Sequence, residues 1–196
     1  MRSMSEAMSD ESLITARIDG SLAAIGGLRD QVDRICDIAD VVAEHLQGGG
    51  TLYTAGNGGS AAQAMHLAEE LIGRYRSDRP AQRAICLNAD PSAITCIAND
   101  YGYEQVFARQ CSALLTERDV LLVLSTSGQS ANLVEALRIA RQRAAATIGL
   151  LGNSGGRCAG LCDYALIVPS EDSAHIQEAH QVALHLLCEI IDRRCG

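Results

Sequence analysis

DVLLVLSTSGQS, residues 119–130, joins a continuous apolar run to a hydroxyl-rich turn. An apolar run without polar alternation fits a strand covered on both faces, as in a parallel sheet packed between helices. The turn gathers Ser125, Thr126, Ser127 and Ser130 around Gly128, just before a helix expected to begin near Asn132. Several neutral donors at a helix N-terminus suit a phosphate monoester, because backbone amides and the helix dipole both favour the anion there. A plain hydroxyl turn with a capping residue would account for one or two of these side chains.

Working outward, runs of the same kind recur at TLYTA (51–55), RAICLN (83–88), ATIGLL (146–151) and YALIVP (164–169), separated by stretches of helical character. The pattern predicts an α/β fold: a doubly wound, five-stranded parallel sheet flanked by helices. In such sheets ligands bind beyond the carboxyl ends of the strands, near a topological switch point, which directs attention to the loops after the first and third strands. Before the first strand, Val32, Ile35, Cys36, Ala39, Val42, Ala43 and Leu46 recur at helical spacing. Gly26 and Gly27 are expected to split the segment 11–47 into two helices, and Gly48, Gly49 and Gly50 to end the second. This N-terminal helical extension cannot serve as a strand crossover, so its apolar stripe is expected to pack across the domain or against another subunit. Residues 1–10 are polar and read as a frayed tail.

The length of 196 residues fits one domain, and 47% hydrophobic with 20% charged residues excludes wholesale disorder. A net charge of −8 leaves no general basic footprint for nucleic acid, so an anion must be held by locally arranged donors. No apolar run is long enough to span a bilayer, and the N-terminus lacks the plan of a secretory signal, so a cytoplasmic protein is expected. The eight cysteines lie mostly in apolar runs and read as reduced core thiols. Cys158 and Cys162 have the spacing of half a metal site, but no second pair accompanies them.

The first strand runs into Gly56-Asn57-Gly58-Gly59-Ser60 and then directly into a helix. Glycines permit close backbone approach to a ligand, and Asn57 and Ser60 add side-chain donors, so this loop is a second anion cradle. It has neither the Lys of a nucleotide-triphosphate loop nor dinucleotide-binding glycine spacing. Without a ligand it would be a glycine turn with Ser60 as helix N-cap. The helix it opens carries His66 and Glu70 four residues apart on one face, with Glu69 turned about 100° away. Such a pair can share a metal ion or act as acid and base. The last helix bears three of the five histidines, His175, His180 and His185, together with Gln177. Gln177 and His185 lie about 12 Å apart along its axis, and His175 and His180 are expected to be solvated.

Together AGNGGSAAQAMHLAEELIGRY, ANDYGYEQVFARQ, STSGQSANLVEAL and IQEAHQVALHLLCEIID resemble the bacterial phosphoheptose isomerases, sugar isomerase (SIS) domain proteins that convert sedoheptulose 7-phosphate into glycero-manno-heptose 7-phosphate. The resemblance runs in order from about residue 20 to the C-terminus. It implies one SIS domain over residues 1–196, a homotetramer assembled through N-terminal helices, and one zinc ion per subunit on His66, Glu70, Gln177 and His185. Implied substrate contacts are Asn57, Gly58, Gly59, Asn99, Asp100, Ser125, Thr126, Ser127 and Ser130, with Glu70 and Gln177 near the sugar. Glu70 is the candidate base and His185 the candidate acid. One position departs: many members have Asp where this chain has Gln63, which cannot act as a base or carry charge. The alternative is a non-catalytic SIS protein that binds a replication initiator or senses a sugar phosphate.

Overall fold

The computed structural model describes residues 9–196. Helix α1 (Asp10–Gly26) leads through a 3-10 turn (Gly27–Gln31) into α2 (Val32–Gln47). There follow β1 (Leu52–Gly56), α3 (Gly59–Ile72), β2 (Ala84–Cys86), α4 (Pro91–Tyr101), a 3-10 turn (Tyr103–Gln105) and α5 (Ala108–Leu114). The chain continues with β3 (Val120–Ser125), α6 (Ala131–Gln142), β4 (Ala146–Gly152), α7 (Gly156–Ala159), β5 (Tyr164–Val168) and α8 (Ser173–Cys195). The N-terminal tail expected over residues 1–10 lies mostly outside the described residues. At its end, Ser9 is the N-cap of α1, its hydroxyl accepting from the Ser12 amide, and Asp10 is already helical.

All five strands are parallel, in the order β2-β1-β3-β4-β5. Successive β3 residues point to opposite faces, and both faces are covered. Val120, Leu122 and Leu124 join the core beneath α2, α3 and α8, while Leu121 and Val123 join the core beneath α4, α5, α6 and α7. This explains the unbroken apolar run, since a strand with no solvent face needs no polar alternation. Each fully buried leucine contributes ~1.5–3 kcal/mol relative to an exposed one. The switch point falls between β1 and β3, where Gly56 pairs with Leu124 and the two loops leave the sheet side by side.

One strand and one helix depart from expectation. β2 is an edge strand of three residues with Ile85 exposed, so RAICLN supplies a shorter element than its hydrophobicity implies. Its ladder is finished by a side chain: Asn88 accepts from the Gly56 amide (3.1 Å) and donates to the Gly56 carbonyl (3.0 Å), as a neighbouring strand would. In α2, Val32 is exposed as the first residue of the helix, and Ile38, outside the expected stripe, is fully buried.

α8 is the wall on which the site is built, and it corrects one expectation. His180 is fully buried, within the stripe of Ile176, Ala179, Ala183, Leu184 and Leu187. Burial pushes its imidazole down to about 4, although the Leu151 backbone partly favours the charged ring. Neither ring nitrogen has a hydrogen-bond partner of good geometry. His175 is half-buried rather than solvated, packed against Gly20 of α1. Because folding lowers the affinity of His180 for its proton, the unfolded chain binds more protons below its own value near 6.5. Stability is therefore full above that pH and is lost as pH falls toward 4. Between pH 7 and pH 5 the wild type should lose about 2 kcal/mol more stability than His180→Leu, read from urea unfolding at the two pH values. Equal losses would remove His180 as the acid-sensitive group.

Candidate active site and metal centre

The turn after β1 is shaped by glycine. Gly58 has φ +56° at the start of α3, a conformation that a side chain disfavours. Gly58, not Ser60, occupies the N-cap position; Ser60 lies within the first turn of α3 and is buried. Asn57 is held toward the second loop by a reciprocal amide pair with Asn132 of α6: Asn57 Nδ2 donates to Asn132 Oδ1 at 3.0 Å, and Asn132 Nδ2 donates to Asn57 Oδ1 at 2.9 Å. The Tyr103 hydroxyl also donates to Asn57 Oδ1 at 3.0 Å. An open depression lined by Asn57, Tyr103, Glu104, Ser130 and Asn132 lies between the loops.

The turn after β3 is braced from below. Gly128 has φ +62°, and a Cβ there would stand 2.0 Å from the Gly155 carbonyl oxygen, so the turn presses directly on the loop after β4. Ser125 is buried, its hydroxyl accepting from the Gly128 amide at 3.0 Å, so it shapes the loop. Ser127 is exposed and accepts from the Gln129 amide at 3.1 Å, which leaves its hydroxyl hydrogen to donate. Ser130 is the N-cap residue of α6, yet its side chain makes no capping bond. Thr126 meets Ser173, the first residue of α8, at 3.4 Å. Asn99 and Asp100 are exposed at the end of α4, where Asn99 Nδ2 donates to Asp100 Oδ1 at 2.7 Å.

α3 and α8 bring two histidines and a carboxylate together. His66, Glu70 and His185 offer ligand atoms that all lie within 4.8 Å of one another. His66 Nε2 is 3.0 Å from Glu70 Oε1, and the two imidazoles meet edge-on with centroids 5.3 Å apart. Tyr75 stacks on His185 at 5.6 Å. Glu69 is exposed, as its angular offset predicts, and Glu70 is half-buried. Two imidazoles and one carboxylate are a donor set suited to a borderline cation such as zinc. Among the described residues this is the one such cluster of His, Cys, Asp and Glu. Cys158 and Cys162 are free core thiols whose burial pushes them up to about 11 and about 12.

Gln177 meets the other end of α3. A Cβ on Gly59 would sit 2.6 Å from Gln177 Nε2, which places that amide beside the glycine loop. It is Gln181, which the sequence reading passed over, whose Nε2 lies 3.0 Å from both His66 Nδ1 and His185 Nε2. Gln63 is buried, and its Nε2 donates to the Gln177 backbone carbonyl at 2.7 Å. Sequence reasoning also missed Arg79, which fastens the two helices at their far ends. Its guanidinium pairs with Asp192 of α8 at 2.5 Å and donates to the Glu70 and Leu71 carbonyls at 3.0 and 2.9 Å. It thereby satisfies carbonyls that the end of α3 leaves open.

The chain matches the family described as SIS domain over residues 22–152. It is 48% identical over 159 residues to phosphoheptose isomerase 1 of Campylobacter jejuni, covering 81% of this chain and 86% of that protein. The phosphoheptose isomerase of Helicobacter hepaticus is 42% identical, with 95% of each chain covered. A phosphoheptose isomerase structure from Francisella tularensis superposes with TM-score 0.91 at 35% identity, covering 95% of this chain and all of that one. With its two phosphate-suited loops beside a histidine and carboxylate cluster, the chain belongs to the SIS-domain family and, within it, to the phosphoheptose isomerases.

Proposed function

We propose that this protein is an enzyme, an isomerase that converts sedoheptulose 7-phosphate into D-glycero-D-manno-heptose 7-phosphate by proton transfer between C1 and C2. The observation that carries the reading is the convergence of His66, Glu70 and His185 from two helices, next to the loops at the switch point. Ser127, Thr126 and Ser130 offer hydroxyls to the phosphate, with the N-terminus of α6 behind them. Asn57, Gly58, Gly59, Ser60 and Gln177 border the sugar, and Asn99 and Asp100 approach it from α4. The relatives' names favour this reading over a non-catalytic binding or sensing protein.

Interconversion of a ketose and an aldose needs a base at carbon, an acid at oxygen and stabilisation of the enediolate. Glu70 takes the C1 proton while the electron pair moves into the C1–C2 bond and the C2 carbonyl oxygen gains negative charge. His185 supplies a proton to that oxygen. Return of a proton to C2 and loss of the O1 proton then yield the aldehyde. Glu70 Oε1 is engaged by His66. A lone pair given to a metal is closed to proton transfer, so on this reading Glu70 acts as base through its other oxygen and His185 as acid through the ring nitrogen that holds no metal. We assign one zinc ion per subunit to His66, Glu70 and His185, with a glutamine amide from α8, Gln177 as the family resemblance implies, as a further ligand. When bound, zinc would supply a Lewis acid for the carbonyl oxygen.

The test is direct: pure protein incubated with sedoheptulose 7-phosphate should produce the aldose, and chelator should lower both zinc content and rate. A zinc-free protein that leaves the ketose unchanged would overturn the reading. Ser127→Ala is expected to raise KM roughly 10- to 100-fold with little change in kcat, the effect of losing a hydrogen bond to a charged group. An unchanged KM would remove Ser127 from the phosphate cradle.

We also read the chain as a single SIS domain whose segment 11–47 assembles a cytoplasmic homotetramer. Leu13, Ile14, Ile18 and Leu22 of α1 are exposed, an apolar face that further subunits would cover. Every cysteine among the described residues is free, as in a reducing compartment. No helix among those residues is long and apolar enough to cross a membrane.

A further inference from the structure

Gly152-Asn153-Ser154-Gly155-Gly156 brings to the end of β4 the same residue types that Gly56-Asn57-Gly58-Gly59-Ser60 brings to the end of β1. The two runs flank the turn after β3, because β1 and β4 are the neighbours of β3 in the sheet. Asn153 Nδ2 donates to the Thr126 carbonyl at 2.9 Å, and a carbonyl partner fixes which end of the amide faces the turn. Gly152 lets that carbonyl come close: a Cβ there would stand 2.3 Å from the Thr126 oxygen. Asn153 has φ +54°, a left-handed conformation that Asn tolerates better than most residues. Its own amide donates to the Ser170 carbonyl at 3.2 Å, so Asn153 joins the loop after β5 to the turn after β3.

The bond to Thr126 sets the direction of a second group. The Thr126–Ser127 peptide is trans, so its carbonyl and its N–H point opposite ways. With the Thr126 oxygen held against the end of β4, the Ser127 N–H is turned away from β4, to the side of β1 and its glycine loop. The next two amides are already engaged, that of Gly128 by Ser125 Oγ at 3.0 Å and that of Gln129 by Ser127 Oγ at 3.1 Å. The Ser127 amide has no acceptor among the described residues. A backbone N–H in that state is a donor open to a phosphate oxygen. We propose that Asn153 is a positioning residue for substrate binding: by holding the Thr126 carbonyl, it aims the Ser127 amide at the phosphate group of a sugar phosphate. The proposal rests on the reading of the turn after β3 as the phosphate cradle.

Two variants of the full chain test it. Asn153→Gly keeps the positive φ and removes the side-chain amide, whereas Ser154→Gly adds backbone freedom next door and leaves the bond in place. Both residues are exposed, so urea midpoints should match that of the wild type. With sedoheptulose 7-phosphate, Asn153→Gly should raise KM about fivefold and change kcat by less than about twofold, the loss of one hydrogen bond of ordinary net strength. Inorganic phosphate, as a competitive inhibitor, should lose affinity by the same factor, and Ser154→Gly should change neither constant. In amide NMR, saturating phosphate should move the Ser127 proton downfield in the wild type and by clearly less in Asn153→Gly. The full shift in the variant would overturn the aiming role. Equal losses in both glycine variants would trace the effect to loop freedom and overturn it too, as would a KM that rises while phosphate affinity holds. If inorganic phosphate fails to bind the wild type, the cradle itself falls and the role of Asn153 with it.

Discussion

Glu70→Gln is expected to lower kcat by roughly 100- to 10,000-fold, the range lost when a general base is removed. The exchange keeps the length and planarity of the side chain, so the contact with His66 Nε2 at 3.0 Å retains an acceptor in the variant. What disappears is the anionic oxygen that takes the C1 proton. The phosphate loops after β1 and β3 are built by Asn57, Asn132, Ser125 and Gly128, none of which bonds to Glu70 in the structure. Binding of a phosphate-bearing substrate should therefore change little, and the loss should fall on kcat. Steady-state kinetics separate the two, and near wild-type turnover would sink the assignment of Glu70 as base. The same variant measured for zinc content distinguishes loss of the base from loss of the ion, since a variant that keeps its zinc and loses its rate has lost the base.

A second large effect is expected from Arg79→Met, which should destabilise the fold by about 3–5 kcal/mol. Arg79 is 1% exposed and Asp192 9%, so the pair is desolvated, and removing the cation strands a buried carboxylate. The Glu70 carbonyl loses its Arg79 donor in the same step, while the Leu71 carbonyl keeps the Gln82 amide. Against the 5–15 kcal/mol of a typical domain, this is a large fraction. Urea unfolding gives the size, and a loss below 1 kcal/mol would show that the pair is solvated in solution. Arg79→Met combined with Asp192→Leu should recover part of the loss, because no charge is then left buried. A cost confined to the single variant identifies the stranded carboxylate as the cause.

Most of the fold was legible because the strands announce themselves: VLLVL between two polar ends has no other economical reading. The sheet order could be narrowed to a switch point but not seen in detail, since β2 owes its brevity to its edge position and its completion to Asn88. In the site, His66 and Glu70 were legible from helical spacing, and His185 from its place on the last helix. His180 was readable too, because it falls in the i, i+3, i+4 stripe of α8 that buries Ile176 and Leu184. Taking it as solvated followed residue type over periodicity. Gln181 and Arg79 were not legible. A glutamine on a half-exposed helix face has no pattern of its own, and Arg79 lies in the polar stretch RSDRPAQR, where nothing local marks it as buried. Both derive their roles from partners more than a hundred residues away in the chain.

The length of α8 has a corollary for variation in this chain. The helix of 23 residues reaches from Ser173 beside Thr126, past Gln177 at the glycine loop, to His185 and finally Asp192 at Arg79. Adding or deleting one residue between 177 and 185 would rotate every later side chain by about 100° and slide it by about 1.5 Å. Outward-facing positions of α8 can therefore drift freely in identity, whereas its residue count between these landmarks is fixed, and a library of insertions should find no active member there even where every single substitution nearby is tolerated.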